Sequence, residues 1–209
     1  MVGSSLCQPA KNMSIETIDK GLIDYQESHQ EMLDLIKSTL RKSQIWHLEH
    51  FPVYTIGISE KFIKEDDNQT IPIIKTDRGG KITYHGPGQL VFYFMLDLKK
   101  MPFRPTDLTK TILNKTSQVF GSIDLDHDLS FTDPGIYIKE QKVASIGMRI
   151  KNNFSYHGIS INYNTDLEAF NSINPCGLNI KACNLLEYIN IDKEYLHNRL
   201  LQEYRELDK

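Results

Sequence analysis

The chain has 209 residues, 40% of them hydrophobic and 24% charged, with 12 glycines and 8 prolines, a composition that excludes a disordered or collagen-like chain and can bury one core. Lys and Arg number 24 against 27 Asp and Glu, a formal charge of -3, so no global field attracts polyanions and no nucleic-acid partner is expected. The longest apolar stretch, Leu90 to Leu96, is far short of the roughly 20 residues that cross a bilayer, and the N-terminus lacks the basic start and apolar run of a secretory signal, so a cytoplasmic protein without membrane attachment is expected.

Residues 1–13 carry no hydrophobic period and read as a flexible extension, with Met13 as an alternative start; residues 14–209 read as one domain. From Leu22, apolar positions at Tyr25, Met32, Leu33, Ile36 and Leu40 predict a first amphipathic helix. Ile45 to Ile58 turns to β-rich residues broken by Pro52 and closed by Gly57, which fits two short strands. Glu65, Asp66, Asp67 and Asn68 form a solvated loop before a brief strand at Ile71 to Ile74. Lys81 to His85 alternates, Gly86-Pro87-Gly88 turns the chain, and Leu90 to Leu96 reads as a buried strand. Pro105-Thr106-Asp107 starts a second helix with its apolar face at Leu108, Ile112, Leu113, Val119 and Phe120. Gly135 to Ile138, Lys142 to Ile150 and Tyr156 to Asn162, joined by short polar turns, predict an antiparallel meander. Asp166 to Phe170 fits one helical turn, and Leu196, Leu200, Tyr204 and Leu207 mark a last helix. Strands in runs with few helices give an α+β fold: a mixed, largely antiparallel sheet with helices packed on one side of it.

Chemistry concentrates in a few places. Arg78-Gly79-Gly80 lets backbone N–H groups approach a ligand, and Thr83, Tyr84 and His85 follow within the same hairpin. A second His-Gly pair, His157-Gly158, opens another strand; neither histidine has the paired Cys or His spacing of a zinc site, so no metal is expected. Three cysteines in a reducing compartment leave at least one free thiol among Cys7, Cys176 and Cys183. Cys176 differs in sitting on a constrained Asn174-Pro175-Cys176-Gly177 turn, where it is either a small half-buried hydrophobe or a nucleophile beside a cleft. A thiol needs a base or a nearby cation to react at neutral pH. Lys142 opens a run of small and apolar residues, Ala144, Ser145, Ile146 and Gly147, and is either a solvent-facing turn lysine or a desolvated amine able to take the thiol proton.

Four blocks, RGGKITYHGPGQL at 78–90, KVASIGMRI at 142–150, SYHGISINYN at 155–164 and INPCGL at 173–178, together with WHLEHFPVYTIG at 46–57, resemble the lipoyl(octanoyl) transferase family in order and spacing. The resemblance implies a fold similar to the catalytic domain of biotin and lipoate protein ligases. It also implies transfer of an octanoyl group from acyl carrier protein to a lysine of lipoyl domains, those of 2-oxoacid dehydrogenase E2 subunits and of the glycine cleavage H protein. By the same resemblance Cys176 carries the acyl group as a thioester and Lys142 is its base. The substrate-contacting segments fall on Arg78, Gly79, Gly80, Lys81, Ile82, Thr83, Tyr84 and His85, on Ser145, Ile146 and Gly147, and on Gly158, Ile159 and Ser160. The activated thioester removes any need for ATP, and octanoyl-phosphopantetheine is a substrate, so no bound cofactor is expected; a monomer is expected as well. Ala182-Cys183 departs from the small polar pair usual in the family. Lys99, Lys100, Arg104, Arg149 and Lys151 are expected contacts for acidic carrier domains. The alternatives are an ATP-dependent lipoate or biotin ligase on the same fold and a non-catalytic lipoyl-domain binding module.

Overall fold

The computed structural model describes residues 15–39, 41–60, 70–172 and 181–209. The N-terminal extension, the acidic loop at 65–68, Cys7 and Cys176 lie outside the described residues.

Seven strands form the main sheet: β1 (Glu16–Ile23), β2 (Gln44–His50), β6 (Gln89–Met95), β7 (Asp128–Ser130), β8 (Gly135–Ile138), β9 (Gln141–Lys151) and β10 (Phe154–Asn162), in the order β1-β2-β6-β10-β9-β8-β7. Only the β1–β2 pair is parallel, so the sheet is mixed and largely antiparallel, as the sequence predicts. A second sheet of three strands, β3 (Val53–Ile56), β4 (Ile73–Lys75) and β5 (Ile82–His85), runs in the order β4-β3-β5.

The start of the chain differs from the sequence reading. Residues 16–23 form the edge strand β1, and the helix α1 (Tyr25–Lys37) begins only after it. Asp24 sets that boundary, because its carboxylate accepts hydrogen bonds from the free amides of Gln26 and Glu27 at the first turn. Leu22, read as the first residue of the helical stripe, is 49% exposed on the strand.

Both faces of the main sheet are covered, which corrects the one-sided packing expected from sequence. Along β6, Leu90, Phe92 and Phe94 enter a core shared with α2 (Leu108–Ser122) and α4 (Lys193–Tyr204), while Val91, Tyr93 and Met95 meet Met32 and Ile36 of α1 on the opposite face. Neighbouring side chains of a strand point to opposite faces, so a strand buried on both reads as an unbroken apolar run. Each fully buried side chain of this size contributes roughly 1.5–3 kcal/mol. A third, smaller cluster joins Tyr54 and Tyr84 of the three-stranded sheet to Ala169 and Phe170 of the short helix α3 (Leu167–Ser172).

Candidate active site

The face of the sheet at β9 and β10 opens into a cavity of about 260 Å³. Its apolar lining includes Ile82, Val91, Ile146, Met148, Ile159 and Phe170. Along β9 it extends from Lys142 to Met148, which at about 3.3 Å per residue is roughly 20 Å of strand. The two glycine segments meet here because neither has a side chain to keep them apart. Gly79 N–H donates to Met148 O at 3.2 Å, and a Cβ on Gly147 would lie 2.7 Å from Gly79 O. A larger residue at 147 would push the Gly79-Gly80 turn off the strand.

Of the residues that the sequence singles out, Arg78, Gly79, Gly80, Lys81, Ile82, Thr83, His85, Lys142, Ser145, Ile146, Gly147, Gly158, Ile159 and Ser160 all line this cavity. Tyr84 does not: it is buried against Ala169 and Phe170 of α3 with its ring 5.6 Å from that of Tyr54. Arg78 lines the wall with its guanidinium committed elsewhere. Its Nε and Nη2 donate to Thr55 Oγ1 at 3.0 and 2.9 Å, Nη2 also to Thr55 O, and Nη1 to Gly79 O. It is a buried brace for the turn. Thr83 Oγ1 is buried at the cavity with no hydrogen-bond partner among the described residues.

His85 lines the cavity, and its ring packs 5.7 Å from that of the buried His50 behind it. His50 Nδ1 donates to Ile23 O at 3.0 Å, and its Nε2 accepts from Tyr93 Oη at 2.7 Å. His85 Nδ1 donates to Gln89 Oε1 at 2.7 Å. Burial pushes His50 down to about 4 and His85 down to about 3, so both are uncharged at neutral pH. Gln89 passes the network on to Asn162 Oδ1 at 2.9 Å, and Asn162 Nδ2 donates to Cys183 O.

The structure also brings together His29, Asp77 and His157, whose potential ligand atoms lie within 4.8 Å of one another, a juxtaposition with no spacing signal in the sequence. Asp77 Oδ1 accepts from His157 Nε2 at 2.9 Å and from His29 Nε2 at 3.2 Å, and Tyr156 Oη donates to Oδ2. Burial opposes ionisation of Asp77, but these donors outweigh it and hold the carboxyl well below the ordinary range. A metal on His157 Nε2 would force the ring proton onto Nδ1, which is buried without a partner among the described residues, so the three groups suit a hydrogen-bonded clamp better than a metal site. The clamp holds His157 at φ +62, a left-handed conformation that costs a non-glycine residue about 1 kcal/mol or more.

Lys142 stands at a bulge of β9: Ala144 faces Ile136 and Lys142 faces Tyr137, so Val143 is the extra residue. The Lys142 amine, which the sequence allows as a desolvated group beside a cleft, has a charged partner. Its Nζ donates to Asp133 Oδ2 at 2.8 Å, and its side chain is 13% exposed. Burial of Asp133 favours its neutral form, but the ammonium of Lys142 and the hydroxyl of Tyr137 outweigh that and keep the carboxyl below its usual range. Asp133 was hidden in sequence because Thr132-Asp133-Pro134-Gly135 reads as an ordinary turn.

The chain on the far side of 173–180 returns directly to this lysine. Lys142 N–H donates to Lys181 O at 2.9 Å, Cys183 N–H donates to Lys142 O at 3.2 Å, and Ala182 N–H is taken by Asn171 Oδ1 at 3.0 Å. Asn171 and Lys181 thus bring both flanks of the Cys176 segment to the edge of β9. Cys183 itself is fully buried, and burial pushes its thiol up to about 12, so it is an inert core residue. The basic residues expected at a docking surface are exposed, with Lys100 paired to Asp97 and Arg104 to Asp107.

A family model described as the lipoyl protein ligase A/B catalytic domain matches residues 25–205. An octanoyltransferase of Dechloromonas aromatica is 40% identical over 159 residues, 75% of this chain and 78% of that protein. One of Coxiella burnetii is 38% identical over 174 residues, 81% and 71% of the two chains. Among solved structures, a bi-partite lipoate protein ligase from Thermoplasma acidophilum aligns with a TM-score of 0.68 at 13% identity, over 93% of this chain and 84% of that one. The biotin protein ligase of Aquifex aeolicus aligns with a TM-score of 0.55 at 16% identity, over 92% and 70%. At these identities the structural matches speak to the fold alone.

Proposed function

The chain belongs to the lipoyl protein ligase A/B catalytic family and to its octanoyltransferases, acyltransferases of protein lipoylation, and from that premise we propose that it moves an octanoyl group from acyl carrier protein to a lipoyl-domain lysine through Cys176. The observation that supports the reading is the pairing of Lys142, which lines an apolar cavity, with the chain that follows the Cys176 segment.

In this scheme the amine of Lys142 takes the proton of the Cys176 thiol. The thiolate attacks the octanoyl carbonyl, and the carbon–sulfur bond to phosphopantetheine breaks. The departing thiolate takes the proton back from Lys142, leaving an octanoyl-Cys176 thioester and a neutral amine. The lysine of a lipoyl domain then attacks that thioester. Its amide bond forms as the bond to Cys176 breaks, and the proton shed by the nucleophile passes to Lys142. The free enzyme is regenerated with the thiolate beside an ammonium. The thioester is already activated, so the scheme calls for no nucleotide and no bound cofactor. Lipoyl domains of 2-oxoacid dehydrogenase E2 subunits and of the glycine cleavage H protein are its targets.

The octanoyl tail belongs in the slot lined by Ile82, Ile146, Met148 and Ile159, where each buried methylene contributes about 0.8 kcal/mol. The fold is shared with ligases that activate a free acid, so the decisive experiment offers both donors. Octanoyl carrier protein and a lipoyl domain give octanoylated product without ATP if the scheme holds. Turnover only with free octanoate and ATP rejects it in favour of a ligase, and no turnover with either donor favours a binding module.

A further inference from the structure

We propose that Asp133 is the positioning residue for Lys142, fixing its amine over the cavity in the orientation that proton transfer needs; this rests on Lys142 being the proton carrier of the reaction. Asp133 lies in the turn between β7 and β8 and lines the same cavity as Lys142. Its Oδ2 accepts from Lys142 Nζ at 2.8 Å and from Tyr137 Oη at 2.6 Å, and Tyr137 Oη also donates to Asp133 O at 3.0 Å, so the carboxylate has one orientation. The lysine stem runs over Gly135, where a Cβ would lie 2.9 Å from Lys142 Cε and 2.5 Å from Ala144 O. A glycine at 135, a bulge at Val143 and a doubly anchored carboxylate converge on one side chain.

Among the described residues, a few other groups face this pair. Tyr137 puts its ring 5.3 Å from Lys142 Nζ. Lys81, on the approach to β5, acts on Asp133 electrostatically. Lys181 and the buried Cys183 sit on the strip bridged to Lys142, and α2 contributes Thr109 to the cavity lining. When Lys142 has given its proton to the leaving thiolate, the remaining N–H groups still have Asp133 to donate to. The amine therefore stays in place to collect the proton shed by the target lysine.

The test is kcat and KM for octanoyl transfer from octanoyl carrier protein in Asp133→Asn and Asp133→Glu, with Lys142→Ala alongside and the folding of each variant checked by thermal melting. Asp133→Asn lowers kcat by about tenfold or more and leaves KM near the wild-type value. Asp133→Glu, which keeps the charge and displaces it by a methylene, also lowers kcat with KM unchanged. A wild-type kcat in Asp133→Asn or in Asp133→Glu overturns the proposal; the second result does so even if the Asn variant does not fold. Wild-type activity in Lys142→Ala would instead reject the role of the lysine itself, which separates the two failures.

Discussion

Lys142 and Ala182 lie side by side in a parallel bridge, the lysine amide donating to Lys181 O at 2.9 Å and its carbonyl accepting from Cys183 N at 3.2 Å. Through that bridge the backbone at the start of β9 is tied to the chain that follows residues 173–180. The amine end of the same lysine is tied to a different element, the turn at Asp133.

Lys142→Ala removes the proton carrier and leaves both backbone hydrogen bonds of the bridge. Octanoyl transfer should fall by about 10²- to 10⁴-fold, the range for a general base, with the thermal midpoint little changed. Lys142→Arg should be no better, because a guanidinium does not give up its proton near neutral pH. Steady-state rates and melts of the purified variants check this, and a loss of activity matched by a loss of folding would point to a structural role.

Cys183→Ala should keep wild-type transfer activity and cost about 1 kcal/mol of stability, the order expected for one buried group. The thiol is fully buried and shifted up to about 12, so alkylation of the native protein at neutral pH should spare it. Peptide mapping after iodoacetamide treatment reads this directly. Rapid labelling of Cys183, or inactivity of the alanine variant, would contradict the assignment.

The buried imidazoles predict acid sensitivity. His50 and His85 titrate near 4 and 3 in the folded protein against about 6.5 when exposed, so the unfolded chain binds more protons between these values. Their contribution is complete above about pH 6.5 and is lost as the pH falls, by about 1.4 kcal/mol per histidine for each unit. Asp77 and Asp133 are shifted down and add a further loss only below about pH 4. Denaturant titrations at pH 7.5, 6 and 5 should show stability declining, with a smaller slope in His50→Gln; a flat profile from 7.5 to 5 would contradict the burial argument.

The sequence carries much of this site because its glycines and short hairpins are local signals. The turn at Gly86-Pro87-Gly88, the meander of β8 to β10 and the run that became β6 are readable from residue types within a few positions. The parts that escaped depend on partners far away in the chain. β1 has little apolar alternation of its own and is defined by pairing with β2, and its last residues continue the apolar spacing of α1, so only the cap at Asp24 separates the two. The helices on both faces follow from how β6 is sandwiched, which an apolar run alone does not reveal. Asp77 meets His157 80 positions away, and Tyr84 needs the fold to show that it faces α3 while its neighbours Thr83 and His85 line the cavity.

The most direct measurement is the intact mass of the protein after mixing with octanoyl carrier protein, followed by hydroxylamine. The account predicts one added octanoyl group, removed by hydroxylamine, mapped to Cys176 and lost in Cys176→Ala. A Cys176→Ala or Cys176→Ser enzyme that transfers octanoyl groups at the wild-type rate, with no thioester detected in the parent, would contradict it.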